Sequence, residues 1–141
     1  MRLLGVDMGE KRIGIAVSDP RRIIAQSAGQ IERGTPAETV ERLRDLAARH
    51  EADGVVVGLP LNMNGSEGPA ARSAREFAES LRRGLGVSVV LWDERLTTAE
   101  ADSLMKSAGL SRRKRAVRVD GLAAQLILQS YLDSRGAEVE R

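Results

Sequence analysis

Residues 55–59 read Val-Val-Val-Gly-Leu, a run without a polar side chain, and a helix-like pattern lies on either side of it. A strand with one wet face alternates apolar and polar residues, whereas a strand covered on both faces does not. Cover on both faces comes from a layered α/β arrangement, so this run is expected to be a buried parallel strand between helices. The helix before it has clear start signals: Thr35 can cap, Pro36 takes the first helical position and Glu38 completes a capping box. Val40, Leu43, Ala47 and His50 then recur at helical spacing through Glu51, with His50 read as packing or as a charge at the helix end. After the run comes a loop from Pro60 to Gly68. A second helix follows with Ala70, Ala74, Phe77 and Leu81 along one face, ended by Gly84 and Gly86, and then the strand pattern Val87–Trp92.

The N-terminal part is strand, tight turn, strand: Leu3–Met8, the polar turn Gly9-Glu10-Lys11-Arg12, and Ile13–Val17. Ile23–Ala28 is expected to add a third strand after the turn at 19–22, giving an antiparallel meander. Near the C-terminus, Thr97 with Glu100 predicts a capped helix through Met105. A basic segment follows, then an apolar-faced helix from Asp120 to Leu132, and a frayed tail from Asp133 to Arg141. The order βββαβαβα implies an α/β fold with a mixed five-stranded sheet, an antiparallel meander plus parallel strands, flanked by helices. Residues 1–141 are read as a single domain with a basic loop at about 106–118, since a chain of this size makes one sheet.

Composition narrows the chemistry. There is no cysteine and one histidine, which excludes disulfides, thiolate sites and any site needing two imidazoles. No apolar run approaches the roughly 20 residues of a spanning helix, and the first residues do not read as a signal peptide, so a cytoplasmic protein without membrane contact is expected. Net charge is only +2, yet residues 103–119 carry Lys106, Arg112, Arg113, Lys114, Arg115 and Arg118 with no acid among them. Such a cluster suits a polyanion. Aromatic residues make up 2% of the chain, too few for a base-stacking platform, so binding is expected to rest on backbone charge.

Three acidic positions stand out. Asp7 ends the first strand between Gly5 and Gly9, which leave room for a phosphate or ion, although an aspartate there also suits a turn cap. Asp93 and Glu94 end the fifth strand, where period-two alternation sends them to opposite faces, so only one can converge with Asp7; the period does not say which. Asp120 opens the last helix, as an N-cap or as a ligand. Carboxylates gathered from strand ends and a helix start, without histidine or cysteine, are hard oxygen ligands that suit Mg²⁺ or Mn²⁺. Two such ions about 4 Å apart activate water and stabilise the leaving oxygen of a phosphodiester. This pattern points to a nuclease.

The same residues fall in motifs that resemble those of the YqgF family, also called RuvX, a group of Holliday-junction-resolvase-like proteins and pre-16S ribosomal RNA nucleases. The opening is Gly5-Val6-Asp7-Met8-Gly9 with Lys11-Arg12-Ile13-Gly14-Ile15-Ala16-Val17-Ser18-Asp19. The middle motif is Val57-Gly58-Leu59-Pro60-Leu61-Asn62-Met63-Asn64-Gly65-Ser66-Glu67. The third is Asp93-Glu94-Arg95-Leu96-Thr97-Thr98, followed by Glu100-Ala101, and the last is Asp120 with Ala123-Ala124, Ile127-Leu128-Gln129 and Tyr131-Leu132. The resemblance covers residues 5–132. It implies a ribonuclease-H-like fold, and it implies that Asp7, Glu94 and Asp120 are the catalytic, metal-binding carboxylates holding Mg²⁺ or Mn²⁺, with two ions expected. It further implies hydrolysis in 5′-end maturation of pre-16S rRNA, with resolution of four-way DNA junctions as the alternative, and with a homodimer and ribosomal association among its partners.

Other residues of these motifs suit substrate contact. Lys11 and Arg12 are placed to meet phosphates, or simply form a solvated turn. Asn62, Asn64 and Ser66 suit phosphate or sugar contacts, with Ser66 also a candidate cap for the second helix. Arg95 suits substrate or a pairing with Asp93, and Arg112, Arg113, Lys114, Arg115 and Arg118 form the expected gripping loop. Two readings from other classes compete. A non-catalytic RNA- or ribosome-binding module would bind structured RNA without cutting it. A phosphotransferase of the actin and sugar-kinase superfamily shares Gly-Xaa-Asp-Xaa-Gly, but such enzymes close two domains of this kind around ATP.

Overall fold

The computed structural model describes residues 1–96 and 121–139. The expected helix from Thr97 to Met105, the basic cluster and Asp120 lie outside those residues. Five strands form one sheet: β1 (Arg2–Met8), β2 (Arg12–Ser18), β3 (Ala25–Glu32), β4 (Ala52–Leu59) and β5 (Ser88–Asp93). Their spatial order is β3-β2-β1-β4-β5. β1, β2 and β3 pair antiparallel, and β1, β4 and β5 pair parallel. α1 (Pro36–Arg49) and α2 (Pro69–Leu85) cover one face, and α3 (Leu122–Val139) covers the other. This is the mixed sheet of a ribonuclease-H-like architecture.

The all-apolar run 55–59 lies in β4, between β1 and β5, with helices on both sides. Val55 and Val57 point into a core with Leu4, Val6, Ile13, Ile15 and Val89 against Val40, Leu43, Phe77 and Leu81. Val56 points the other way, into a second core with Leu3, Ala16, Ala124, Ile127, Leu128 and Tyr131. Each Val side chain removed from water contributes roughly 1.5–3 kcal/mol, and with both faces dry no polar residue is tolerated.

Local signals hold with adjustments. Thr35 caps α1, its Oγ1 accepting the Glu38 N–H at 3.2 Å, while Glu38 Oε1 accepts from the Thr35 hydroxyl at 2.9 Å rather than from its backbone. α1 ends at Arg49 instead of Glu51, because Glu51 takes a left-handed conformation (φ 55°) and turns the chain into β4. On α2 the buried small residue is Ala71 and not Ala70, which is exposed. Ser66 does not cap α2; the cap position is Gly68, without a side-chain bond. Gly84 lies inside α2, where it lets Val40 of α1 come close, and the helix ends at Gly86 (φ 67°).

The third strand departs most from expectation, starting at Ala25 and running to Glu32. Ile23 and Ile24 are 57% and 58% exposed and belong to the turn, where Asp19 Oδ1 accepts both of their N–H groups at 2.7 and 2.8 Å. These bonds to the ionised carboxylate hold the Asp19 pKa below its ordinary value. β3 is an edge strand, largely exposed, with a register shift opposite Gly14/Ala16, so it has no alternation to read. The tail is also not frayed from Asp133, since α3 continues to Val139.

α3 is fixed to the sheet by packing and by polar clamps. Gln129 Oε1 accepts the Ala25 N–H at 2.8 Å, and Gln125 Nε2 donates to the Ala25 carbonyl at 3.1 Å. Trp92 donates to Ser130 Oγ at 3.1 Å and meets Tyr131 edge-on with ring centres 5.5 Å apart. At Gly5 a Cβ would stand 2.8 Å from Leu128 Cβ and 3.0 Å from the Ala124 carbonyl oxygen, closer than side chains pack. Gly5→Ala is therefore expected to lift α3 from β1 and cost about 1–3 kcal/mol. A fall in the urea midpoint with unchanged m-value checks this.

Candidate active site

Asp7 and Glu94 arrive on the same face of the sheet from different strands. In β1, Leu4, Val6 and Met8 face α1 and α2, so Asp7 faces the α3 side with Leu3 and Gly5. In β5, Val90 and Trp92 pack on the α3 side, and the alternation sends Glu94 there too, while Asp93 takes the opposite direction. The strand phase, anchored by packing, makes the choice that the sequence left open. Glu94 donates its backbone N–H to Leu59 O at 3.1 Å, which carries the β4–β5 pairing one step beyond Leu59–Asp93.

The two carboxyl groups meet in a hydrogen bond. Burial, that hydrogen bond to Asp7, the Asp7 charge and the Asp93 charge push Glu94 up to about 8. A carboxyl raised this far is favoured in its protonated form at neutral pH in the metal-free protein. Asp93 behaves oppositely, because the Arg95 guanidinium holds its carboxyl below the usual range. Arg95 Nη2 donates to Asp93 Oδ2 at 2.7 Å and Nε to both carboxylate oxygens. Of the two acidic side chains, one is neutralised by a salt bridge and the other is driven against Asp7.

The floor around this pair is bare. Asp7 is paired with Gly14 on β2, and one step beyond the Val6–Val57 pairing its neighbour on β4 is Gly58. A Cβ built at Gly14 would stand 3.6 Å from Asp7 Cβ, Ala124 Cβ and Gly121 Cα, so the start of α3 lies beside Asp7. Two half-buried carboxyls at the carboxyl ends of parallel strands, with no thiolate or imidazole nearby, form a hard oxygen donor set that suits Mg²⁺ or Mn²⁺. No group of three acidic or imidazole side chains is assembled among the described residues, and Asp120, the third expected carboxylate, lies outside them.

The remaining expected residues divide in two. Lys11, in the β1–β2 turn, and Arg12, at the start of β2, are both exposed, and Gly9 N–H closes the turn on Arg12 O at 2.9 Å. Asn62, Asn64 and Ser66 are exposed but engaged with one another: Asn62 Nδ2 donates to Ser66 Oγ at 2.9 Å and Ser66 Oγ donates to Asn64 Oδ1 at 2.6 Å. This shapes the 60–68 loop from inside. Arg95 ties the loop to β5 through Met63 O at 3.3 Å. Arg112, Arg113, Lys114, Arg115 and Arg118 lie outside the described residues.

Sequence reasoning missed two residues around the site. Arg33 donates to Gly9 O at 2.9 Å and to Ser73 Oγ at 3.2 Å, tying the turn after Asp7 to α2; an arginine after an exposed edge strand carries no signal of this. Gly58 did have a signal, as the one residue without a side chain in the all-apolar run of β4.

The sequence model of the family described as "RuvX: Holliday junction resolvase" matches residues 1–134. A protein of Pelotomaculum thermopropionicum named "Putative pre-16S rRNA nuclease" is 50% identical over 96% of this chain and 89% of its own length. One of the same name from Myxococcus xanthus is 46% identical over 95% and 89%. Among solved structures, Thermus thermophilus RuvC has a TM-score of 0.61 at 15% identity, covering 97% of both chains. The fowlpox virus Holliday junction resolvase has a TM-score of 0.55 at 17% identity, covering 95% of this chain and 99% of its own. At these identities the structural matches show a shared fold.

Proposed function

The chain belongs to the RuvX family, a nuclease and resolvase family, and from that membership we propose that it hydrolyses phosphodiester bonds of precursor 16S rRNA with divalent ions held by Asp7, Glu94 and Asp120. The observation that carries this reading is the meeting of the Asp7 and Glu94 carboxyls on a bare sheet floor. Asp120 is included because it opens the last of the family's motifs, Asp120 with Ala123-Ala124 and Ile127-Leu128. The names of relatives at 50% and 46% identity supply the RNA.

When bound, Mg²⁺ or Mn²⁺ supplies a Lewis acid for the phosphoryl oxygens and for the attacking water. The residues supply the rest. Asp7 and Glu94 would hold the ion through carboxyl oxygens that their strands keep close together, and Glu94 would have to be ionised to do so. Lys11 and Arg12, just after Asp7 in the chain and open to solvent, bind backbone phosphates. The 60–68 loop, stiffened by its Asn62–Ser66–Asn64 bonds and tied by Arg95, borders the site at the carboxyl end of β4. The cationic cluster at 106–118 holds the polyanion. No imidazole takes part, since His50 ends α1 as its cap residue.

A second reading, junction resolution, is favoured by the description of the family, and it requires a dimer presenting two sites to one junction. A 5′-extended 16S precursor and a four-way DNA junction, each incubated with Mn²⁺ or Mg²⁺, separate the two. Cleavage of the RNA alone is expected. Cleavage of the junction alone moves the substrate to DNA, and binding of RNA with no cleavage at any ion concentration refutes the hydrolase.

A further inference from the structure

We infer that Gly58 is a positioning residue of the site: its missing side chain is the passage through which Glu94 crosses β4 to reach Asp7. The inference rests on the metal-binding reading of that pair and adds a residue that holds no ligand itself.

β4 is a central strand, where glycine weakens the sheet and calls for a reason. Backbone conformation is not that reason, since Gly58 is absent from the left-handed glycines among the described residues, Gly29, Gly65, Gly86 and Gly121. A buried strand of Val55-Val56-Val57 would be extended well by another valine. The reason is occupancy. A Cβ at Gly58 would lie 2.9 Å from Glu94 Cγ, 3.0 Å from Glu94 Cδ and 2.7 Å from Ile127 Cδ1. The stem and carboxyl carbon of Glu94 thus lie directly over the Gly58 backbone. β4 stands between β1 and β5 in the sheet, so a side chain starting at the end of β5 must pass over β4 to meet one on β1. Glutamate has the length for this crossing, and glycine below it leaves the height. Asp93 has neither the face nor the free charge for it.

The contact with Ile127 offers a competing account, in which glycine merely lets α3 settle on β4. The two accounts separate in a pair of variants. Gly58→Ala obstructs both Glu94 and Ile127. Gly58→Ala combined with Ile127→Val deletes Cδ1, the atom at 2.7 Å, and leaves only the obstruction of Glu94. Calorimetric titration of Mn²⁺ into the metal-free proteins is read beside thermal melting and beside binding of the 5′-extended RNA without metal.

The double variant is expected to recover wild-type melting while its Mn²⁺ affinity stays roughly 10–100-fold below wild type, the range for displaced supports of metal ligands. Metal-free RNA binding is expected to be unchanged. Recovery of Mn²⁺ affinity together with melting in the double variant overturns the inference, and makes Gly58 a packing residue only. Wild-type Mn²⁺ affinity in Gly58→Ala alone overturns it as well. If the wild-type chain itself takes up no Mn²⁺, the metal reading of Asp7 and Glu94 fails, and the role of Gly58 fails with it.

Discussion

Replacing Glu94 by glutamine will stabilise the metal-free protein in alkaline solution while abolishing cleavage. Glu94 is pushed up to about 8 in the fold, from 4.5 for a free side chain, by burial first and then by the hydrogen bond and charge of Asp7. Between these values the folded chain holds a proton that the unfolded chain has released. Stability therefore falls as pH rises from about 4.5 to about 8, and the penalty stays in full above that. Glutamine never ionises, and its amide can still donate to Asp7. Its melting temperature should exceed wild type by on the order of 5 °C at about pH 9, with the gap closing toward pH 4.5. Added Mn²⁺ should raise the melting temperature of the wild type far more than that of Glu94→Gln, since a ligand that binds only the folded state stabilises it. Melting curves across pH, with and without metal, check both halves. A variant less stable than wild type at alkaline pH would refute the account of the pair as a like-charge contact.

Asp7→Asn is expected to lower cleavage by about 10³-fold or more, corresponding to several kcal/mol of lost charge stabilisation at the phosphoryl centre. The fold should tolerate the change, because asparagine keeps the shape and Gly14 and Gly58 leave space on both sides. RNA binding without metal should persist, because the substitution leaves every cationic residue in place. The substitution also removes the Asp7 charge that helps raise Glu94, so the Glu94 carboxyl should titrate lower than in wild type, toward 4.5. Single-turnover cleavage with saturating enzyme gives the first quantity, and carboxyl ¹³C chemical shifts across pH give the second. Loss of cleavage with an unmoved Glu94 titration would mean that the two side chains do not face each other in solution.

These effects share one cause. Two carboxyls are held together by strands whose directions are fixed by cores on both faces of the sheet, so the repulsion between them cannot relax by moving apart. Arg95 keeps a third negative charge, Asp93, from adding more than it does, and the same guanidinium holds the 60–68 loop.

The sequence by itself determined the layers. The unbroken apolar run of β4, the Thr35-Pro36 start of α1 and the apolar stripe of α2 each follow from local periodicity and capping, which act within a few residues and so are visible in the chain. It was silent where structure is decided at a distance. β3 is an exposed edge whose extent is set by pairing with β2 and by clamps from Gln125 and Gln129 on α3, not by its own pattern. Gly84 read as a stop, and became a contact between helices once α1 was packed against it. For the site, the sequence supplied Asp7 and two candidates, Asp93 and Glu94, which periodicity alone could not rank; the family motif preferred Glu94 by resemblance. The tertiary structure brought Glu94 to Asp7, because burial of Val90 and Trp92 beneath α3 fixes which way β5 faces, and because Gly58 leaves the intervening strand low enough to cross.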